Sequence, residues 1–270
     1  MYNTNFGTIF WELTDVLKAR LNSDRQGRKV LIFGNGRSGS TVLQQMLSTD
    51  DTCIDLGELL RRRRKRFKAC PQLKISKSLC SDFKFVNGLA NYHLKKNGIK
   101  QVCAHIKPMQ VGMNQITDFL SKARSQGWTI ILLYRSVSEV VVSAEKAGNT
   151  KLWHTPIDQQ DKTALSKDLE FIKVKSRLLG GMQKRWLYNQ CMKEWGKNEA
   201  HVLCDFHKNL SSDERKKEFT QLLTTTYPKI SIGLNNIKIK RSKPLHYRQT
   251  DLEVIEFLRK EEAILDNSSI

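Results

Sequence analysis

The segment Lys29-Val30-Leu31-Ile32-Phe33 is an apolar strand that runs straight into a glycine turn, Gly34-Asn35-Gly36-Arg37-Ser38-Gly39-Ser40-Thr41. Strand, glycine turn and helix in immediate succession constrain the fold more than any other part of the chain. Glycines let the backbone curl so that successive amides face inward, and a following helix adds the unsatisfied N–H groups of its first turn. Val42-Leu43-Gln44-Gln45-Met46-Leu47 carries apolar residues in the helical period and supplies that helix. With Arg37 and the hydroxyls of Ser38, Ser40 and Thr41, the turn reads as a cradle for an oxyanion. A purely structural strand-to-helix turn is the plainer alternative. The arginine and three hydroxyls gathered around the internal glycines favour the cradle.

The turn is close to a nucleotide triphosphatase loop but differs at the decisive position. That loop reads G-x-x-x-x-G-K-[ST]. Gly34, Gly39 and Thr41 keep its spacing, and Ser40 stands where the lysine belongs. No lysine reaches a γ-phosphate from that place. Arg37 instead offers a planar fork of donors to a phosphate or a sulfate, so an oxyanion other than a triphosphate tail is expected.

A chain of 270 residues without a Pro/Gly/Ser-rich linker is expected to form one domain over 1–270, with 1–28 an N-terminal amphipathic helical segment and 225–270 a C-terminal extension. The formal charge of +19, locally dense in Arg61-Arg62-Arg63-Arg64-Lys65-Arg66, attracts anions, whether small cofactors, acidic polymers or a lipid surface. Phe6, Ile9, Phe10, Leu13, Val16 and Leu17 suit an amphipathic helix lying on a core rather than a leader or a span. The expected location is cytoplasmic, with peripheral contact at an anionic membrane as a second use of that helix. Six cysteines show no C-x-x-C and no zinc-like clustering, and Cys103 and Cys204 sit in apolar runs as ordinary buried residues.

Further along, a helix is expected over Phe83 to Lys96 and a strand over Gln101-Val102-Cys103-Ala104-His105-Ile106, ended by Lys107-Pro108. A helix from about Met113 to Gln126 stops at Gly127, and the strongest strand follows, Trp128 to Tyr134. A helix begins near Ser138, and Gly148 to Lys162 reads as a loop. A long helix over Asp168 to Trp195 has a break expected at Gly180-Gly181. His201 to Phe206 is another strand, and Ser211 with Glu214 forms a capping box for a helix to Thr224. The alternation predicts an α/β fold with a mainly parallel central sheet flanked by helices.

Two strand-to-helix junctions, Gly34 to Thr41 and Arg135 to Ser143, open at the carboxyl edge of such a sheet, where ligands bind. The chain can therefore hold two anionic groups of one ligand at separated points. Arg135 as a surface ion-pair partner and Ser143 as an ordinary helix serine are the competing reading.

At these two places the chain resembles the sulfotransferases that use 3′-phosphoadenosine 5′-phosphosulfate (PAPS). GNGRSGST is similar to their 5′-phosphosulfate loop in the arginine form of the carbohydrate-modifying branches, and ILLYRSVSEVVVSAEKA resembles their 3′-phosphate segment. The resemblance implies the three-layer fold shared with P-loop nucleotide-binding proteins. It assigns Gly36, Arg37, Ser38, Gly39, Ser40 and Thr41 to the 5′-phosphosulfate and Arg135 and Ser143 to the 3′-phosphate. It also implies an in-line transfer of sulfonate to an acceptor hydroxyl with no metal required. The aromatic-proline-lysine-serine loop of the phenol and steroid enzymes is absent, as is their C-terminal arginine-lysine-glycine segment; Lys240-Arg241-Ser242-Lys243 is a candidate substitute. A saccharide or glycolipid acceptor is therefore expected.

Two bases compete. Glu58, in Leu56-Gly57-Glu58-Leu59, resembles the glycine-glutamate element of carbohydrate and bacterial members, and His105 resembles the histidine base of the cytosolic branch. The arginine-type loop favours Glu58. Lys107 could reach the transferred sulfonate, and Trp153 with His154 could stack on a sugar. His93, His201, His207 and His246 form no ligand spacing. The rivals are a phosphotransferase or nucleotide switch, which the loop disfavours, and a basic nucleic-acid-binding protein. No aromatic residues alternate with the arginine run as a stacking platform requires, so nucleic acid is not the expected partner.

Overall fold

The computed structural model describes residues 3–21, 27–48, 50–74, 80–150, 171–199, 201–232 and 249–267. Its centre is a five-stranded parallel sheet built from β1 (Arg28–Gly34), β2 (Cys53–Asp55), β3 (Gln101–Ile106), β4 (Trp128–Tyr134) and β5 (Val202–Asp205), in the order β2-β3-β1-β4-β5. Strands buried on both faces need apolar residues at successive positions, and β1 has them. Leu31 and Phe33 join one core with Val102, Ala104, Ile106, Ile130 and Leu132, while Val30 and Ile32 join the opposite core with Cys103, Ile131, Leu133 and Cys204. The chain is an α/β protein with a parallel sheet flanked by helices.

On the first face lie α1 (Asn3–Arg20), α4 (Asp82–Leu94) and α6 (Ile116–Ser125), which contribute Val16, Phe85, Leu89, Phe119 and Leu120 to the core. α1 and α4 approach so closely that a Cβ on Gly88 would stand 2.1 Å from the Ala19 carbonyl oxygen. The second face is covered by α2 (Ser40–Leu47) and α9 (Asp213–Thr226) through Leu43, Met46, Phe219 and Leu223. A third apolar cluster joins α7 (Val137–Thr150), α8 (Phe171–Gly196) and the C-terminal α10 (Gln249–Asn267) through Val141, Leu178, Met182, Val254 and Leu258. The Lys146–Asp251 ion pair, buried between α7 and α10, adds to it.

Several expectations shift in detail. Met113–Gln115 is a single tight turn before α6 rather than part of it. α8 runs through Gly180-Gly181 without a break, because helical geometry costs glycine only about 1 kcal/mol per residue, which packing of Leu178, Met182 and Trp186 offsets. The cap of α9 is Ser212, whose side chain accepts from the Arg215 amide; Ser211 donates instead to the His207 carbonyl. The loop with Trp153 and His154 and the segment Lys240-Arg241-Ser242-Lys243 lie outside the described residues, apart from the end of α7.

The arginine run is a helix, α3 (Leu59–Ala69), and several of its cations bond to other parts of the chain. Arg63 is only 1% exposed and pairs with Glu12 of α1 at 2.8 Å and with Asp82 of α4 at 3.2 Å, its guanidinium 4.4 Å from the Phe85 ring centre. Arg66 pairs with Glu12 and Asp15, Arg62 donates to the Leu56 carbonyl, and Arg64 donates to the Met109 and Gln110 carbonyls. Arg63 and Arg66 thus clamp α1, α3 and α4 together, while Arg61, Arg62, Arg64 and Lys65 remain exposed. Cys103 and Cys204 are fully buried, and burial pushes both thiols far up, so both stay protonated.

Candidate functional site

Because β1 is the central strand, the glycine turn at its carboxyl end lies between the ends of β3 and β4. Register fixes what stands on either side: Phe33 faces Ile106 and Gly34 faces Leu133, so Lys107 follows on one flank and Arg135 on the other. Pairing continues past the end of β2. The Leu56 amide donates to the Cys103 carbonyl and the His105 amide donates to the Gly57 carbonyl, which brings Glu58 level with Lys107. Gly57 takes φ 60°, and Asp55 accepts its amide at 2.7 Å, the turn that swings Glu58 over the sheet edge.

The turn itself is tight. A Cβ on Gly34 would stand 2.4 Å from the Leu133 carbonyl oxygen, so only glycine fits there. Gly39 has φ 95°, and its missing Cβ leaves room for the Phe206 ring, 2.6 Å from where that atom would be. Arg37 is a non-glycine residue at φ 69°, a conformation costing on the order of 1–2 kcal/mol that here serves the curl of the loop.

The two junctions, about a hundred residues apart in sequence, meet through their side chains. Arg37 Nε donates to Ser143 Oγ at 3.1 Å, and Arg135 Nη1 donates to the Arg37 carbonyl at 3.0 Å. The Arg135 guanidinium lies 4.4 Å from the centre of the Phe206 ring, the ring that packs on Gly39. Ser143 is buried, and so is Ser38, whose Oγ has no hydrogen-bond partner among the described residues. Ser40 is buried at the start of α2, whereas Thr41 is exposed.

On the other flank Lys107 lies against the loop: a Cβ on Gly36 would be 3.1 Å from Lys107 Cε. Lys107 Nζ donates to Glu58 Oε1 at 2.7 Å, Gln110 donates to Glu58 Oε2 at 3.3 Å, and Arg61 stands 3.7 Å from the same oxygen. Burial raises the Glu58 carboxyl, but the Lys107 hydrogen bond and charge outweigh it and hold the group below the usual carboxylate range. Glu58 is therefore ionised at neutral pH, and it remains partly open to solvent.

His105 is different. It is 1% exposed, its ring is hydrogen-bonded to the Gly34 backbone, and Nε2 has no partner among the described residues. Burial, reinforced by the Lys107 charge, lowers the imidazole from 6.5 to about 4. An unfolded chain takes up a proton in that window and the folded chain refuses it. Stability is thus full above pH 6.5 and falls as pH drops toward 4, by about 3 kcal/mol for the whole shift. Urea midpoints of the wild-type chain and of His105→Gln, followed through the window, should diverge in slope, the variant being flatter. Parallel slopes would contradict a neutral buried imidazole.

Three groups at the site carried no signal in the local sequence. Glu139, buried at the start of α7, accepts from Arg135 at 3.1 Å, from Arg259 of α10 at 2.8 Å and lies 2.8 Å from His207 Nε2. Burial raises its carboxyl, but Arg135 and His207 bring it below the ordinary value. Glu262 of α10 accepts from the Val137 and Ser138 amides and from Ser136 Oγ, so the free N-terminal amides of α7 already face a carboxylate. Asn35 donates to Asn189 Oδ1 at 2.9 Å and thereby ties the loop to α8.

The described residues define an α/β protein whose central parallel strand ends in a strained, arginine-bearing glycine turn, with a lysine–carboxylate pair on one flank and an arginine–serine pair on the other. Neither protein-family models nor the sequences of curated proteins give a match to this chain. Among the described residues no helix is long and apolar enough to cross a membrane.

Proposed function

We propose that this protein is a sulfotransferase that moves sulfonate from PAPS to a hydroxyl, on a saccharide or glycolipid. The observation that carries the proposal is the meeting of Arg37, Arg135 and Ser143, since a ligand with phosphate-type groups at two points needs both junctions to converge. The loop fits such a group: the buried Ser38 Oγ lacks a partner, glycines stand at 36 and 39, and α2 directs its first-turn amides toward the turn. Arg135 is shared with Glu139, so a 3′-phosphate there competes with an internal carboxylate. The choice of acceptor rests on the arginine form of the loop and on the Gly57-Glu58 element. Two cations of the arginine run, Arg63 and Arg66, are committed to Glu12, Asp15 and Asp82, and no aromatic platform alternates with the exposed ones, so the run lends little support to a nucleic-acid surface.

When bound, the donor supplies an activated sulfonate and a weakly basic leaving group. Arg37 and the loop amides are placed to hold its peripheral oxygens and to meet charge that grows in transfer. Glu58 is ionised and able to accept the acceptor's proton as the acceptor oxygen bonds to sulfur and the bridging oxygen departs. In the resting arrangement Lys107 holds that carboxylate, which weakens it as a base. Lys107, which lies against Gly36 and pairs with Glu58, would turn its cation to a sulfonate held by the loop and so free Glu58, coupling the base to donor binding.

Glu58→Gln tests this. Transfer should fall about 10²–10⁴-fold while affinity for adenosine 3′,5′-bisphosphate stays near wild type. Near-normal transfer would contradict the assignment and move the role to His105.

A further inference from the structure

α1 presents a face that its own core does not use. Glu12, Val16 and Ala19 point inward and are buried, whereas Phe10, Trp11, Leu13, Leu17 and Leu21 at the helix end are 46–75% exposed. At about 100° per residue, Phe10, Leu13, Leu17 and Leu21 fall within roughly 80° of one another, with Lys18 and Arg20 about 80° to either side of Phe10. Single exposed apolar residues need no explanation, but an apolar stripe edged by cations is unusual on a soluble surface.

The neighbouring surface continues the pattern. A groove of about 430 Å³ between α1 and the end of α4 is lined by Leu17, Leu21, Tyr92, Lys18, Lys95 and Lys96. The Lys18 and Lys96 ammonium groups lie over the Tyr92 ring, 5.0 and 5.5 Å from its centre, so cations edge the apolar surface of the groove. The acidic groups of α1 are turned elsewhere: Glu12 is buried against Arg63 and Arg66, and Asp15 is paired with Arg66.

We propose that this face docks on an anionic phospholipid surface, with the α1 stripe in the interface and the lysines of the groove on the lipid phosphates. The arrangement is that of a helix lying in a membrane plane, with apolar side chains flanked by cations that reach the headgroups. A second copy of the chain fits worse, because a twofold contact through this face sets the same lysines against each other. A nucleic-acid backbone satisfies the cations but leaves the leucines, Phe10 and Trp11 without a role. The inference is independent of the transferase reading, and its test needs no substrate.

The test is sedimentation of the full chain with vesicles of phosphatidylcholine alone and of three parts phosphatidylcholine to one part phosphatidylserine. The chain should pellet with the anionic vesicles and remain largely in solution with the neutral ones. Phe10→Ser with Leu17→Ser should lower the partition coefficient about tenfold or more, and Lys95→Gln and Lys96→Gln about fivefold each. Leu222→Ser, at a comparably exposed position on α9, should leave it unchanged. These side chains are on the surface, so circular dichroism and urea midpoints should match wild type in every variant. Failure to bind anionic vesicles overturns the proposal. So does binding that the α1 variants leave intact, which would mean net charge alone is responsible. Self-association in the ultracentrifuge that the α1 variants abolish would also overturn it, by making the face a contact between copies.

Discussion

Arg37→Ala is expected to lower sulfonate transfer by about 10²–10³-fold, the cost of removing one preorganised donor from a site where charge develops. Its guanidinium is the cation inside the loop, its Nε is held by Ser143, and its carbonyl anchors Arg135, so it links both halves of the site. Arg37→Lys should recover little, because an ammonium cannot reproduce the fork. Arg37→Gly separates chemistry from folding: with φ 69° the position favours glycine, so the urea midpoint should hold or rise while transfer is lost. Unchanged turnover in Arg37→Ala would remove the loop arginine from the mechanism.

Arg63→Met is expected to destabilise the fold by about 3–5 kcal/mol without a specific effect on ligand binding. The cost comes from what remains. Glu12 is 0% exposed and Asp82 is buried, and loss of Arg63 takes its cation away from both carboxylates. Equilibrium urea unfolding measures it, and the added change Asp82→Asn should restore part of the loss by neutralising a buried carboxylate that Arg63 had faced. A cost below about 1 kcal/mol would mean that water reaches the cluster and that α3 is held by its apolar side alone.

The parts of the fold legible in the sequence were those whose signal is local. β1 and β4 are nearly continuous apolar runs and β3 a mainly apolar one ended by Lys107-Pro108, and their limits agree with the expected segments to within a residue. β2 is three residues long and Asp55 is one of them, so no apolar pattern could mark it. α3 was hidden by its own charge: the partners that bury Arg63 lie 51 positions earlier and 19 later, and composition carries no trace of them. α10 had its apolar residues at 254, 255 and 258, but its contribution at the start of α7 through Glu262 depends on a packing that no local pattern encodes.

The candidate site divides the same way. The glycine turn and the Arg135-to-Ser143 segment were legible as two strand-to-helix junctions at the carboxyl edge of a parallel sheet, and the order β3-β1-β4 is what places them together. The arginine form of the loop favoured Glu58 over His105, but how deeply each of the two is buried was not legible. A strand position that looks suited to a base is enclosed against Gly34, and a residue after a short edge strand is the one that reaches the loop through Lys107. Glu139, which holds Arg135, could not have been separated from an ordinary helix glutamate.

The most direct test of the central claim is calorimetric titration of the purified chain with adenosine 3′,5′-bisphosphate, set beside ATP with magnesium. The account expects binding of the bisphosphate that needs no metal and is lost in Arg37→Ala, with little binding of magnesium-ATP. Clear binding of magnesium-ATP and none of the bisphosphate would contradict it, and would make the glycine turn a triphosphate site that works without the loop lysine.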